Sequence, residues 1–262
     1  MHTIRRLYSK EFDFPALGQP ERKSIMLATL PRSGSTTFAI NMWRAGCLGA
    51  PMEYANFQIM EQLFNRLESH DWIDYWAKVK SIRTGPNGVF SYKMFPNNFL
   101  YIARNHKEVL KELSPSYVVY LTRENALEQA ISLYRASKSK SWFAGVTPKE
   151  GVDYDTNEIA STIRRINAWK NSWENVFSLT KVLVFRVTYE RFLLERNNVM
   201  SEIATFVGEK LDDKLFLDIP DIDVQRDGTT KDWVSRYRNE SFDCDTSSPI
   251  VKVSPDFEFI PG

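Results

Sequence analysis

Four short apolar runs punctuate a chain whose remaining segments carry a helical period. Ser24 to Leu30 (SIMLATL), Val89 to Phe95 (VFSYKMF), Tyr117 to Thr122 (YVVYLT) and Lys181 to Val187 (KVLVFRV) have the length and β-branched content of buried strands. Between them the spacing predicts helices over Thr37 to Gly46, stopped by the glycine, and over Asn97 to Leu113, Glu124 to Trp142 and Thr188 to Val207. The longest helix is predicted from about Asp155 to Leu179, where Ile159, Ile163, Ile166, Trp169, Trp173 and Phe177 recur every three or four residues as a core stripe. Thr84 to Gly88 (TGPNG) reads as a turn into the second strand, and Leu48 to Asn56 as a loop after the first helix.

Strands that alternate with helices imply right-handed crossovers, and hence a mostly parallel sheet flanked by helices on both faces. The expected fold class is therefore α/β, as a single domain, since 262 residues suffice for one full core. Residues 24–242 form that domain in this reading, with 1–23 as an N-terminal extension and 243–262 as a C-terminal tail. Ligands of such sheets sit beyond the carboxyl ends of the strands, which is where candidate chemistry belongs.

Composition narrows function by exclusion. With 43% hydrophobic and 26% charged residues, the chain reads as an ordinary globular protein. Its 34 basic and 33 acidic side chains leave a formal net charge of +1, so no global field draws in nucleic acid or an anionic membrane. Any anion site must be local. There is no long apolar run and no signal-peptide pattern, which predicts a soluble, cytoplasmic protein without an integral membrane segment. Cys47 and Cys244 are expected as unpaired, reduced thiols. With His2, His70 and His106 far apart, they offer no zinc-ligand spacing, so no metal is expected.

The first candidate site lies in Leu27 to Thr37 (LATLPRSGSTT). At the start of a helix the free N–H groups and the positive dipole end point into the preceding turn. Here that turn holds Pro31, Ser33 and Gly34, while Ser35, Thr36 and Thr37 add hydroxyls and Arg32 supplies formal charge. Strand, turn and helix in this order are P-loop-like, but the segment lacks the earlier glycine and the lysine of a Walker A loop. No apolar run ends in the aspartate that would hold magnesium in a P-loop NTPase. A metal-free anionic ligand fits better. The plainer reading of Ser35 and Thr36 is that they cap a helix.

The second candidate is Val119 to Trp142 (VYLTRENALEQAISLYRASKSKSW), with Arg123 at the mouth of the third strand and Ser132 nine residues later. A guanidinium fork and a hydroxyl suit a terminal phosphate, although an arginine opening a helix is ordinarily a surface or ion-pair residue. Taken together, the two segments resemble the phosphosulfate-binding segments of sulfotransferases that use 3′-phosphoadenosine-5′-phosphosulfate (PAPS). The match is most similar to the bacterial trehalose 2-sulfotransferase family. It rests on LPRSGSTTFAINMWRAGCLGAPMEY, GPNGVFSYKM, TRENALEQAISLYRASKSKSW and VQRDGTTKDWVSRYR, and spans most of residues 24 to 240.

The resemblance implies PAPS as co-substrate, released as adenosine 3′,5′-bisphosphate (PAP), a carbohydrate or glycolipid acceptor, and a homodimer. Carried over by position, Arg32, Ser33, Gly34, Ser35, Thr36 and Thr37 would hold the 5′-phosphosulfate, and Arg123 and Ser132 the 3′-phosphate. Arg226 and Gly228 would close over it. Eukaryotic cytosolic members carry lysine where Arg32 stands and space the second arginine and serine by eight, so this chain departs from that branch.

Transfer to a hydroxyl requires a base, and none of the three histidines is well placed. Glu53, in GAPMEYAN, aligns with the glutamate that serves as base in the trehalose family; without that context it reads as a solvated or capping residue. Lys93 matches a lysine of the family's second strand and would neutralise the transferring group; an exposed lysine is the ordinary alternative. Trp72, Tyr75, Trp76 and Trp142 are expected in the core. Two other functions stand beside sulfuryl transfer: a nucleotide-dependent small-molecule kinase, and a non-catalytic nucleotide-binding scaffold.

Overall fold

The computed structural model describes residues 3–15, 21–140, 142, 151–211, 218–220 and 228–242. The chain runs through α1 (Thr3–Arg6), a 3-10 turn (Lys10–Phe12), β1 (Lys23–Ala28), α2 (Ser35–Arg44), α3 (Phe57–Arg66), α4 (Trp72–Arg83) and β2 (Val89–Met94). It continues with α5 (Pro96–Asn105), α6 (Lys107–Glu112), β3 (Tyr117–Thr122), α7 (Ala126–Ser139), α8 (Thr156–Thr180), β4 (Leu183–Thr188), α9 (Tyr189–Leu194), α10 (Arg196–Phe206) and α11 (Gly228–Phe242).

The four apolar runs supply the four strands, which pair in parallel in the order β2-β1-β3-β4, but the fourth is not the buried strand expected: β4 is an edge, with only Val187 buried and Leu183 60% exposed. The inner strand β1 is buried from Ser24 onward, and β3 is buried over Val118 to Leu121. Continuous apolar sequence is what a strand covered on both faces needs. The connection leaving β1 goes to β2 on one side, whereas that leaving β3 goes to β4 on the other. A crevice therefore opens between the carboxyl ends of β1 and β3, the place where open α/β sheets bind their ligands. Both candidate anion segments start at this crevice.

The core stripe of α8 lies as expected: Ile159, Ile166, Trp173 and Phe177 are buried, and Ile163 and Trp169 are partly buried against them. Tyr75 and Trp76 are fully buried, and Trp72 is partly so. Trp142 departs from the core expectation and is 41% exposed. Two predicted helices are each split in two. His106 (φ −142°, ψ 59°) separates α5 from α6, and Glu195 (φ −126°, ψ 41°) separates α9 from α10. His106 thus lies at a helix break and not inside a helix; its ring stacks on Trp72 with centroids 4.2 Å apart. A one-residue break leaves the apolar period nearly intact, so periodicity does not register it.

The N-terminal residues are no loose appendage. Ile4, Leu7 and Tyr8 belong to the same buried cluster as the sheet. Arg83, with no exposed side-chain surface, donates to the Phe12 carbonyl at 2.9 Å and pairs with Asp13 at 3.2 Å, and Arg66 pairs with the other Asp13 oxygen at 2.7 Å. Among the described residues no helix is long and apolar enough to cross a membrane. Cys47 is a free, buried thiol whose pKa burial pushes up to about 11, so it is unreactive at neutral pH. Cys244 and the segment 243–262 lie outside the described residues.

Candidate active site

β1 delivers the chain into the turn, and buried side chains then lock that turn. The Trp173 indole donates to the Thr29 carbonyl at 3.0 Å, and the Thr29 hydroxyl donates to the Leu121 carbonyl at 3.0 Å, tying β1 to β3. The fully buried Ser33 hydroxyl lies 2.7 Å from that of Thr29 and donates to the Leu30 carbonyl at 2.8 Å. Gln129, also fully buried, donates to the Pro31 carbonyl at 2.9 Å. Arg32 (φ 62°) and Gly34 (φ 76°) both take left-handed backbone, the kind of conformation that turns successive N–H groups inward around an anion. Gly34 is also the N-cap of α2, and with no side chain it leaves the first-turn amides uncapped.

Gly34 is required twice over. A Cβ there would lie 2.2 Å from the Tyr189 ring, in a conformation that side chains rarely adopt. Gly34→Ala is expected to displace Tyr189 or the turn, lower the melting temperature by several degrees, and weaken nucleotide binding at least tenfold. Calorimetric titration with PAP beside a thermal melt checks this; a variant that binds like the parent would show that the turn does not hold the ligand.

The second segment meets the first directly. Arg123 donates from Nη1 to the Arg32 carbonyl at 3.3 Å, and Arg32 donates from Nε to the Ser132 hydroxyl at 2.8 Å and from Nη1 to the Trp142 carbonyl at 3.1 Å. Arg123 is partly buried and faces two carboxylates, Glu128 at 2.6 Å and Glu190 at 3.7 Å from its nearest nitrogens. Its Nε is buried without a hydrogen-bond partner. It faces Glu190 at 3.7 Å, too far for a hydrogen bond, so an oxyanion reaching this largely buried guanidinium would have to compete with the two carboxylates.

The loop before α3 brings Glu53 to the other side of the turn. Its backbone follows the edge of β2, with the Lys93 N–H donating to the Met52 carbonyl at 2.9 Å. Lys93 is only 2% exposed, which overturns the exposed-lysine alternative. Its ammonium lies 2.8 Å from Glu53 Oε1 and 3.4 Å from Thr36 Oγ1, so one cation joins the carboxylate to the first turn of α2. Asn56 donates to the other Glu53 oxygen at 2.9 Å. Burial alone would raise the Glu53 pKa, but Lys93 and Asn56 outweigh it and hold the carboxyl below its ordinary value.

Arg32, Ser33, Gly34, Thr36, Arg123, Ser132, Glu53 and Lys93 are thus linked through direct contacts or adjacency in the turn, with Ser35 and Thr37 in the first turn of α2. Gly228 opens α11, which packs on α7 through Arg135, whose guanidinium donates to Thr230 at 2.9 Å. Arg226 lies outside the described residues. Sequence reading missed Gln129, Glu128, Glu190, Tyr189 and Tyr8; all but Glu128, which pairs with Arg123 five positions away, meet partners remote in the chain. Only Glu128, one helical turn into α7, had a local signal in the Asn125 cap that precedes it. Among the described residues no group of three or more His, Cys, Asp or Glu side chains is placed to hold a metal.

The chain is similar to several known proteins. The chain is 21% identical over 261 residues to a trehalose 2-sulfotransferase of Mycobacterium tuberculosis, covering 84% of this chain and 96% of that protein. A trehalose 2-sulfotransferase of Mycolicibacterium smegmatis is 21% identical over 252 residues, covering 80% and 92%. Solved structures with similarity include a sulfotransferase from Alicyclobacillus acidocaldarius (12% identity, TM-score 0.47, 84% and 91% covered). Mouse sulfotransferase SULT7A1 complexed with PAP is another (14% identity, TM-score 0.44, 92% and 85% covered). The Stf0 sulphotransferase family model matches residues 24–240, a span that takes in the turn after β1, Glu53, Lys93 and Arg123, and the chain belongs to that family of sulfotransferases.

Proposed function

We propose that this sulfotransferase moves a sulfuryl group from PAPS to a hydroxyl of a carbohydrate, such as trehalose, another glycoside or a glycolipid, with Glu53 as general base and no metal. The observation that carries the reading is the continuity of the two anion segments, with Arg123 on the Arg32 carbonyl and Arg32 on Ser132. One ligand with anionic groups at both ends suits such a surface better than two separate anions. The uncapped first turn of α2 supplies donors for one end, and the Arg123 guanidinium, in competition with Glu128 and Glu190, supplies them for the other. PAPS supplies an activated sulfuryl group on a phosphate leaving group.

In this reading the amides of Ser33, Gly34, Ser35, Thr36 and Thr37 bind the 5′ end, together with the hydroxyls of Ser35, Thr36 and Thr37. Ser33 takes part through its amide, since its hydroxyl is closed within the turn. Arg32, which bonds Ser132 and the Trp142 carbonyl here, would turn to the departing phosphate oxygen, where one preorganised donor lowers the barrier by roughly 3 kcal/mol. Arg123 and Ser132 hold the 3′-phosphate, and Arg226 and Gly228 close over it. Lys93, desolvated between Glu53 and Thr36, neutralises charge on the transferring group. Sulfuryl transfer resembles phosphoryl transfer in its loose transition state, so the acceptor proton becomes acidic late. A carboxylate of lowered pKa, ionised at neutral pH, is then a sufficient base. The carbohydrate acceptor rests on the two trehalose-directed relatives, and a cytoplasmic homodimer completes the proposal.

Incubation with sulfur-labelled PAPS and a panel of disaccharides, glycolipids and simple alcohols tests the function, with calorimetry of PAP and of ATP with magnesium alongside. Label is expected on a carbohydrate hydroxyl, and PAP is expected to bind without metal. Tight ATP–magnesium binding with no affinity for PAP would replace the reading by a kinase.

A further inference from the structure

The segment 3–15 lies outside the family match, yet it reaches the candidate base. Glu53 sits in a loop without regular structure, and its backbone N–H donates to the Tyr8 hydroxyl at 3.0 Å. Tyr8 is 1% exposed, with its ring edge-on to Tyr54 at 6.1 Å. Burial, followed by the neighbouring Glu53 charge, pushes its hydroxyl well above the ordinary phenol range. Tyr8 therefore stays neutral and accepts from the Glu53 amide without adding a second anion beside the carboxylate.

Tyr8 is in turn held from α4. A four-residue helix and a three-residue turn cannot keep a fixed shape by their own hydrogen bonds. The Phe14 N–H donates to the Ile82 carbonyl at 2.9 Å, and the Asp13 carboxylate is clamped between Arg83 and Arg66. Arg83 also lies over the rings of Trp43, at 5.4 Å, and Tyr54, at 6.0 Å. Buried ion pairs of this kind add little net stability, but they allow one arrangement of the groups they join.

We propose that Tyr8 is a positioning residue for the general base, and that the segment 3–15 is part of the active site. This rests on the reading of Glu53 as base. Two contacts from outside the loop hold the peptide that joins Met52 to Glu53, the Lys93 N–H to the Met52 carbonyl and the Glu53 N–H to Tyr8, while the Tyr75 hydroxyl and the Asn98 amide hold the next carbonyls, those of Tyr54 and Ala55. Loss of the Tyr8 contact leaves an amide without an acceptor in a largely buried loop and lets the carboxylate move off Lys93 and off the line of proton transfer. Displacement of about 1 Å at a reacting group is enough to slow a reaction strongly without touching ligand affinity.

The test is Tyr8→Phe in the full chain, which keeps the ring packing and removes one oxygen. PAP affinity is expected within twofold of the parent and acceptor KM within about threefold, with kcat about tenfold lower. Made in a Glu53→Gln background and followed through its slow residual transfer, Tyr8→Phe is expected to change kcat by less than twofold, because a residue that acts through the base has no effect once the base is gone. Parental kcat in Tyr8→Phe overturns the proposal. So does a tenfold loss that is the same in both backgrounds, since Tyr8 would then act independently of Glu53. Failure of the base assignment is read separately, from Glu53→Gln alone.

Discussion

Glu53→Gln is expected to bind PAP as the parent protein does while transferring sulfuryl about 10² to 10⁴ times more slowly, the usual contribution of a positioned base. The change preserves shape, and the Asn56 bond to Oε2 survives on the remaining carbonyl if the amide is oriented that way. It removes the negative partner of a Lys93 ammonium that is almost fully buried. Stability should therefore drop by roughly 1–3 kcal/mol, a range discounted because the Glu53 side chain retains 14% exposure. Titrations well below the melting transition separate this from the catalytic loss. Turnover equal to that of the parent would remove Glu53 from the mechanism.

The same pairing sets the pH dependence. The folded pKa of Glu53 lies below its ordinary value, with burial working against the shift and Lys93 and Asn56 prevailing. Its contribution to stability is thus fully present above the unfolded carboxylate value of about 4.3 and is lost as pH falls through the lower folded value. For the same reason the acid limb of kcat attributable to Glu53 should lie below about pH 4.3, with no loss of base between pH 5 and 8. A limb near neutrality that vanishes in Glu53→Gln would contradict the geometry.

Arg123→Ala is expected to weaken PAP binding about 10- to 40-fold and to leave the affinity for 5′-AMP within a factor of three. Charge-assisted hydrogen bonds contribute about 1.5–3 kcal/mol each. The lower part of that range applies, because Glu128 and Glu190 already neutralise the guanidinium and a phosphate must compete with them. Calorimetry with both ligands measures the difference. Equal losses for PAP and 5′-AMP would mean that Arg123 supports the turn through the Arg32 carbonyl and has no selective role toward a 3′-phosphate.

The residues named from the sequence and the residues gathered by the fold overlap because the two anion segments are local objects. Leu27 to Thr37 holds its strand end, turn and helix start within eleven residues, so its chemistry follows from neighbours in the chain. Arg123 likewise sits where β3 ends and α7 is about to start. Lys93 was harder: a lysine in an apolar strand reads either as buried and paired or as edge-exposed, and the partner that decides is Glu53, forty residues earlier and held by a loop. Tyr8 carried no signal at all, being an aromatic residue in a segment of mixed charge.

What the sequence determined by itself was the alternation of four strands with helices, the turn chemistry after β1 and the arginine after β3, since apolar period, glycine placement and helix starts are short-range properties; that β4 is a largely uncovered edge was not among them. Strand order was left to the tertiary structure. The order β2-β1-β3-β4 puts the ends of β1 and β3 side by side, and with them Arg32 against Ser132, one hundred positions apart in the chain. Pairings at such separation depend on which strands dock and which loops close around them, and one local pattern is compatible with several such arrangements.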